Sequence, residues 1–365
     1  MCCMSNTFSP APFAVRPRLD TKPWGGTRLA SMGFERPDNS IEPLGEVIVS
    51  ADQSVITSGA YETMSLGDLT RRFPTEVAGP IGLGMTGGRV VFPLLIKLID
   101  AASNLSIQVH PDDDLAATSG STGKTEAWYV LDAPAETHLF LGLTTLDLPI
   151  FLAACEVGDG SSARFLRQLV ARTGETVLLP AGTVHALGAG VLIYEVQQPS
   201  EITYRLDDWG RVSADGRSRE RHLDQGARSI KPYLRPTPNV GADRDSAIGK
   251  RQFLTACRYF ALERITLRGD DRLTTTTSGS PQVLTVIAGQ LLAGDGAEQV
   301  AAGIGASIVA PAAQPSVMLA SGDTGGGETA VLRAWIPDLP NEVIGPARRA
   351  GISDTVLAML GVSTP

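Results

Sequence analysis

The sequence predicts a mainly β protein in two domains with a few short helices, and three observations carry that reading. The chain has 365 residues, more than one ordinary domain needs and ample to bury a core. Its 39 glycines and 24 prolines, with many Thr and Val residues, favour short strands and tight turns over long helices. Apolar runs of strand length recur at short spacing, each bounded by turn residues.

The organised sequence begins at Pro23-Trp24-Gly25-Gly26, where Trp24 reads as a core aromatic beside a tight turn. Residues 45–50 read as a strand, and Ser65 is placed to cap a short helix over 66–73. The almost wholly apolar run 90–99 feeds a strand around Ile107 and Val109; Lys97 within it either faces the interior or snorkels outward. The turn-rich segment 111–121 reads as a solvated loop, since the consecutive Asp112, Asp113 and Asp114 cannot all face one ion from regular structure. Strands follow at 127–131 and around His138, Leu139 and Phe140. Apolar positions at helical period within 151–157 and 163–173, among them Phe165, Leu166, Leu169 and Val170, predict a helix ahead of Gly174. Residues 191–197 form the next strand, and the proline-rich segment 232–245 marks a boundary, giving domains at 1–235 and 236–365. Beyond it, strands are expected at 254–257, 259–267, 282–288, 306–309, 317–320 and 330–335, and short helices over 341–362.

The spacing of four polar residues points to a metal. Gln108 and His110 stand at i and i+2 of a strand and therefore point the same way. Glu126 heads another strand, and His185 closes the phrase Gly174-x5-Pro180-x-Gly182-x2-His185, a strand, a turn and a histidine. Two imidazoles, a carboxylate and an amide oxygen suit zinc or another divalent transition metal, without cysteine. The chain has only four histidines; the other two, His138 and His222, lack ligand-like neighbours and read as structural or surface residues.

Glu195 shares a strand face with Ile193 and Gln197, and an ionisable group among apolar residues needs a partner or a task. Arg205 follows ten residues later; the plain structural account is an ion pair between neighbouring strands. Lys124 lies two residues before Glu126 and shares its face if the strand is regular there.

The segments SIQVHPDD, GKTEAWY, LPAGTVHALGAG and IYEVQQPSEITYRLDDWGR together resemble the type I phosphomannose isomerases in their short bacterial form, within the cupin superfamily. The resemblance covers residues 23–211 well, and four motifs in order are more specific than any one. It implies two cupin-type jelly-roll barrels, and a metal, Zn2+ or a similar divalent ion, held by Gln108, His110, Glu126 and His185. It also matches Glu195 and Arg205 to the family's active-site Glu and Arg, whereas Asp207 stands where the family usually has an aromatic residue. A second phrase, Gly305-x5-Pro311-x-Ala313-x2-Ser316, repeats the spacing of the first with Ser316 in the place of His185, which suggests a second barrel without a metal.

The implied activity is interconversion of mannose 6-phosphate and fructose 6-phosphate through a cis-enediol. Glu195 is the candidate base, while Arg205 and Lys124 either stabilise the enediolate or grip the phosphate. Asp112, Tyr204 and Trp24 are candidate pocket-wall residues. A non-catalytic sugar-binding or regulatory cupin, or a cupin metalloenzyme with another substrate, is the alternative. A net charge of −8 argues against nucleic acid and anionic membranes, leaving a small-molecule sugar phosphate as the partner, with no protein partner implied. Cys2, Cys3, Cys155 and Cys257 have no disulfide-framework spacing, and no run has signal-peptide or membrane-spanning character, so a reduced, cytoplasmic protein is expected.

Overall fold

A computed structural model describes residues 7–38, 40–212, 216–244, 248–323 and 325–362; Cys2 and Cys3 lie outside these residues. The strands form four antiparallel sheets in two compact units. One unit comprises 19–47 and 97–240; the other takes in the described residues up to Arg18 together with 48–96 and those from Gly241 onward. This division is discontinuous and differs from the contiguous 1–235 and 236–365 expected above. The cause is long-range pairing: strand Phe13–Arg16 lies between Ser307–Ala310 and Val55–Ile56, with Val15 opposite both Ser307 and Ile56. No local pattern announces a partner so far along the chain.

In the unit built on 97–240, the first sheet runs in the order Thr176–Leu179, Glu126–Asp132, Leu192–Gln197, Leu95–Asp100, Leu44–Ser50, Arg18–Gly26. The second runs Tyr204–Asp207, Ile107–Val109, His185–Leu187, His138–Leu143, Leu166–Val170. Strand side chains alternate faces, so one face of each sheet can be apolar along its length. Trp24, Ile99, Trp128, Val130, Val177 and Ile193 of the first sheet pack with Leu139, Leu141 and Leu187 of the second. Trp24 is therefore a core residue, and burying each such aliphatic side chain contributes about 1.5–3 kcal/mol.

The second unit repeats this plan. Strands Ser307–Ala310, Gln282–Ala288, Glu328–Trp335 and Ala261–Arg268 stand in the order of Thr176–Leu179, Glu126–Asp132, Leu192–Gln197 and Leu95–Asp100. The sheet Arg272–Thr276, Ser316–Ser321, Gln290–Ala293, Val300–Gly303 likewise mirrors the strands from Ile107–Val109 to Leu166–Val170. Register fixes the correspondences. Gln282 faces Ala310 as Glu126 faces Leu179, and Arg333 faces Leu284 as Glu195 faces Trp128. Ser316 faces Thr276 as His185 faces Gln108. Where the first unit has its metal-ligating candidates, the second has a buried ionic network. Arg333 donates to Gln282 Oε1 and to the Thr276 carbonyl, each at 2.6 Å, and pairs with Glu263 at 2.7 Å.

Most local expectations are met, for physical reasons that can be named. Ser65 caps helix Leu66–Arg72 by accepting from the Asp68 N–H at 3.0 Å, and the tail forms helices Gly345–Arg349 and Asp354–Met359 whose apolar side chains pack with Phe253 and Trp335. Two readings are corrected. The helix Leu148–Val157 ends before 163–173, where a short helical turn, Ser161–Phe165, leads into strand Leu166–Val170 paired with His138–Leu143. A short apolar run fits both periods, and the sheet edge decides. The segment 111–121 contains helix Asp113–Ala117, capped by Asp112, which accepts from the Leu115 N–H at 3.1 Å and pairs with Lys231 at 2.8 Å.

Candidate metal centre

One rung of the second sheet sets the geometry. Gln108 stands opposite His185 on one side and Arg205 on the other, so these three side chains leave the sheet on the same face. His110 follows just beyond Ile107–Val109, and Glu126 is the first residue of its strand in the facing sheet. Gly182, at φ +95°, makes the turn before His185 and donates its N–H to the His110 carbonyl at 2.9 Å; a side chain here would be both strained and jammed against Lys231.

His110 Nε2 lies 3.4 Å from Glu126 Oε2, and His185 Nε2 lies 3.2 Å from Glu126 Oε1. All three residues are buried, and one ligand atom from each falls within a 4.8 Å cluster. The Nδ1 atoms of His110 and His185 each meet a carbonyl, of Ile202 and Thr183 respectively, at 2.9 Å. A carbonyl only accepts, so each Nδ1 carries the proton and each Nε2 turns a lone pair toward Glu126. Burial pushes the His110 imidazole down to about 3 and lowers that of His185, so both rings are neutral. Burial works against the Glu126 carboxylate, but the charge of the Lys124 ammonium opposes it, and the group is held well below its ordinary range. Lys124 Nζ is 3.1 Å from Glu126 Oε2.

His110 Nε2 and both Glu126 oxygens are buried without a hydrogen bond. Such a set is costly unless something binds it, and two neutral imidazoles with an ionised carboxylate are a fitting donor set for a divalent transition metal. Gln108 completes the ring: its Nε2 is 3.2 Å from His185 Nε2, and Ser106 Oγ donates to its Oε1 at 3.2 Å.

Glu195 faces Trp128 across neighbouring strands, and Trp128 Nε1 donates to Glu195 Oε2 at 2.8 Å. Its other oxygen is buried without a partner. Burial, reinforced by the charge of Glu126, raises the Glu195 carboxyl to about 7. Lys97 faces the interior, with Nζ 3.5 Å from Glu46 Oε2, and Lys22 Nζ is 3.6 Å from the same oxygen. Arg205 forms no ion pair with Glu195 and does not stand on a neighbouring strand of its sheet; its Nη1 donates to the Glu220 carbonyl at 2.7 Å. Half-buried, and close to Arg219, the guanidinium has its pKa lowered, and its Nε is buried without a partner.

Tyr204 is partly buried with its ring 6.1 Å from that of His222, while Asp112 serves as the helix cap described above. Asp207 is buried and accepts from Gly160 N, Ser162 Oγ and Trp209 N, tying two loops together. Sequence reasoning gave no role to Glu46 or Gln198, both of which adjoin these residues; the consecutive Gln197-Gln198 at the end of a strand was the available signal for the second.

The family described as phosphomannose isomerase type I, catalytic domain, matches residues 13–145. The mannose-6-phosphate isomerase ManA of Bacillus subtilis (strain 168) is 32% identical over 268 residues, covering 72% of this chain and 81% of that protein. A crystal structure of mannose 6-phosphate isomerase from Bacillus subtilis superposes with a TM-score of 0.76 at 26% identity, covering 89% of this chain and 99% of the other. A zinc-bound mannose 6-phosphate isomerase shares the fold, with a TM-score of 0.67 at 17% identity, covering 90% of this chain and all (100%) of the other.

Proposed function

Given that the chain belongs to the type I phosphomannose isomerase family, we propose that it interconverts mannose 6-phosphate and fructose 6-phosphate at the His110–Glu126–His185 centre. The observation that carries this reading is the buried, hydrogen-bond-free set of His110 Nε2 and the Glu126 oxygens beside a second carboxyl raised to about 7. Gln108, His110, Glu126 and His185 would hold the ion, zinc or another divalent transition metal. For Gln108 this requires the amide to present its oxygen, which the Ser106 hydroxyl permits because it can accept as well as donate. When bound, the metal supplies Lewis acidity toward the substrate oxygens flanking the migrating proton.

The chain's own residues do the rest. Glu195, ionised, takes the proton from C2 of the aldose; the C1 carbonyl oxygen gains a proton from water as the cis-enediol forms. Glu195 returning its proton to C1, with the proton on the C2 oxygen passing back to water, completes the ketose and restores the base. A carboxyl near 7 both accepts and returns a proton readily at neutral pH. Lys124 and Arg205 supply fixed positive charge, one to the enediolate and one to the phosphate.

Among the described residues no helix is long and apolar enough to cross a membrane. The proposed location is the cytoplasm, since a sugar phosphate is too highly charged to cross a bilayer unaided.

A coupled assay of mannose 6-phosphate to fructose 6-phosphate conversion, before and after chelation and zinc restoration, tests the proposal, with Glu195→Gln alongside. Expected are loss of turnover on chelation, its recovery with zinc, and an inactive Glu195→Gln protein of unchanged zinc content. A zinc-loaded wild-type protein that converts nothing overturns the assignment.

A further inference from the structure

We propose that Gln198 is a positioning residue for the centre, acting on Lys124 and Glu126 through the main chain of Thr125; the inference rests on the metal-isomerase reading above. Thr125 sits between the two residues whose side chains meet at 3.1 Å, so its main chain sets where both begin. Gln198 takes hold of both main-chain groups of Thr125. Its side-chain Oε1 accepts the Thr125 N–H at 2.9 Å, and its own N–H donates to the Thr125 carbonyl at 3.2 Å. Its amide Nε2 donates to Asp113 Oδ1 at 2.9 Å, and that oxygen also accepts the Gly123 N–H at 2.9 Å.

The polarity of this clamp is unambiguous, because a main-chain N–H can only donate and a carboxylate only accept. Gln198 is buried, so water cannot replace the bonds it makes. It directly follows strand Leu192–Gln197, which carries Glu195, while Asp113 begins the helix after His110. The Lys124 N–H adds a bond to the Pro111 carbonyl at 3.0 Å. One side chain thus registers the strand of the proposed base against Lys124 and Glu126 and against the segment leaving His110.

An exchange of functional groups separates this role from a general packing role. Gln198→Glu keeps the acceptor for Thr125 but sets a carboxylate against Asp113. Adding Asp113→Asn restores the pairing with donor and acceptor reversed. For Gln198→Glu, zinc affinity measured by competition with a chromophoric chelator is expected to fall about 10–100-fold, the usual effect of losing an outer-shell partner, and kcat to fall with it. The double variant is expected to recover both to within a few-fold of wild type. Gln198→Met, which removes the charge clash but also both side-chain bonds, is expected to lose zinc affinity in the same direction and serves if Gln198→Glu does not fold. The proposal is overturned if the single variants keep wild-type zinc affinity and kcat while only their Tm falls, or if the double variant is as impaired as Gln198→Glu. A wild-type protein that binds zinc but does not isomerise defeats the functional reading instead, and the zinc competition still tests the clamp.

Discussion

Trp128 and Glu195 stand directly opposite each other in neighbouring antiparallel strands, and the indole N–H is the hydrogen-bond donor to the Glu195 carboxylate, at 2.8 Å. This bond favours the ionised carboxylate and opposes the burial that raises it to about 7. Trp128→Phe removes the donor, so the Glu195 pKa rises. Because the base must be ionised to accept a proton, kcat falls on the acid side of its pH profile. The expected result is an acid limb displaced to higher pH in Trp128→Phe, with activity approaching wild type as pH increases; a limb that stays in place removes Glu195 as its source.

Metal removal is expected to weaken the unit that holds the centre. His110 Nε2 and the Glu126 oxygens are buried without a hydrogen bond beside His185, and an ion that binds only the folded form stabilises it by mass action, about 2.7 kcal/mol at a free concentration a hundredfold above Kd. Calorimetry with and without a chelator should show a lower Tm for the stripped protein, and His185→Ala should lose the zinc-dependent difference.

Glu263 and Arg333 predict a different acid sensitivity. Burial opposes the Glu263 charge, but Arg333 and Arg251 outweigh it, so its folded pKa lies below the ordinary carboxylate value. Stability from this group is therefore fully present above its unfolded pKa of roughly 4.3 and is lost as pH falls through the lower, folded value. Glu263→Gln leaves Arg333 buried without its countercharge and is expected to cost about 3–5 kcal/mol at pH 7. Thermal unfolding at several pH values should show the variant with a lower Tm at neutrality and a smaller further drop in acid than wild type.

Leu291 offers a control remote from the chemistry. It is fully buried in the core of the other unit with Ile265, Val286 and Leu319, and Leu291→Ala is expected to lose about 2–5 kcal/mol while zinc content at low temperature is unchanged. Differential scanning calorimetry against a zinc assay checks both halves of that statement.

The ligand candidates were legible because strand alternation and a single turn place them: two residues at i and i+2, and a histidine after a Pro-Gly turn, need no distant partner to be recognised. Glu126 came from its position at the head of an apolar run. What the sequence did not disclose depends on partners far along the chain. Leu166–Val170 is a strand only because His138–Leu143 offers an edge, and Phe13–Arg16 joins the far unit only because Ser307–Ala310 accepts it. Arg205 and Glu195 are ten residues apart yet lie on different sheets, so they are not on the neighbouring strands that the ion-pair reading required. Asp113 looked like one of three solvated acids, and only its bonds to Gly123 and Gln198 give it a different character.

The Arg333 guanidinium occupies, in its unit, the register position that Glu195 holds in the other, and it meets a buried carboxylate just as Lys124 meets Glu126. One duplicated architecture has thus answered the same electrostatic demand twice. In one copy the compensating charge is wholly grafted onto the polypeptide and arrives with translation; in the other Lys124 supplies part of it, and the rest is proposed to be borrowed from solution and can be withdrawn. Metal starvation should consequently act on this protein as a local injury: the copy whose cations are all tethered keeps its interior charge balance whatever the supply of ions outside.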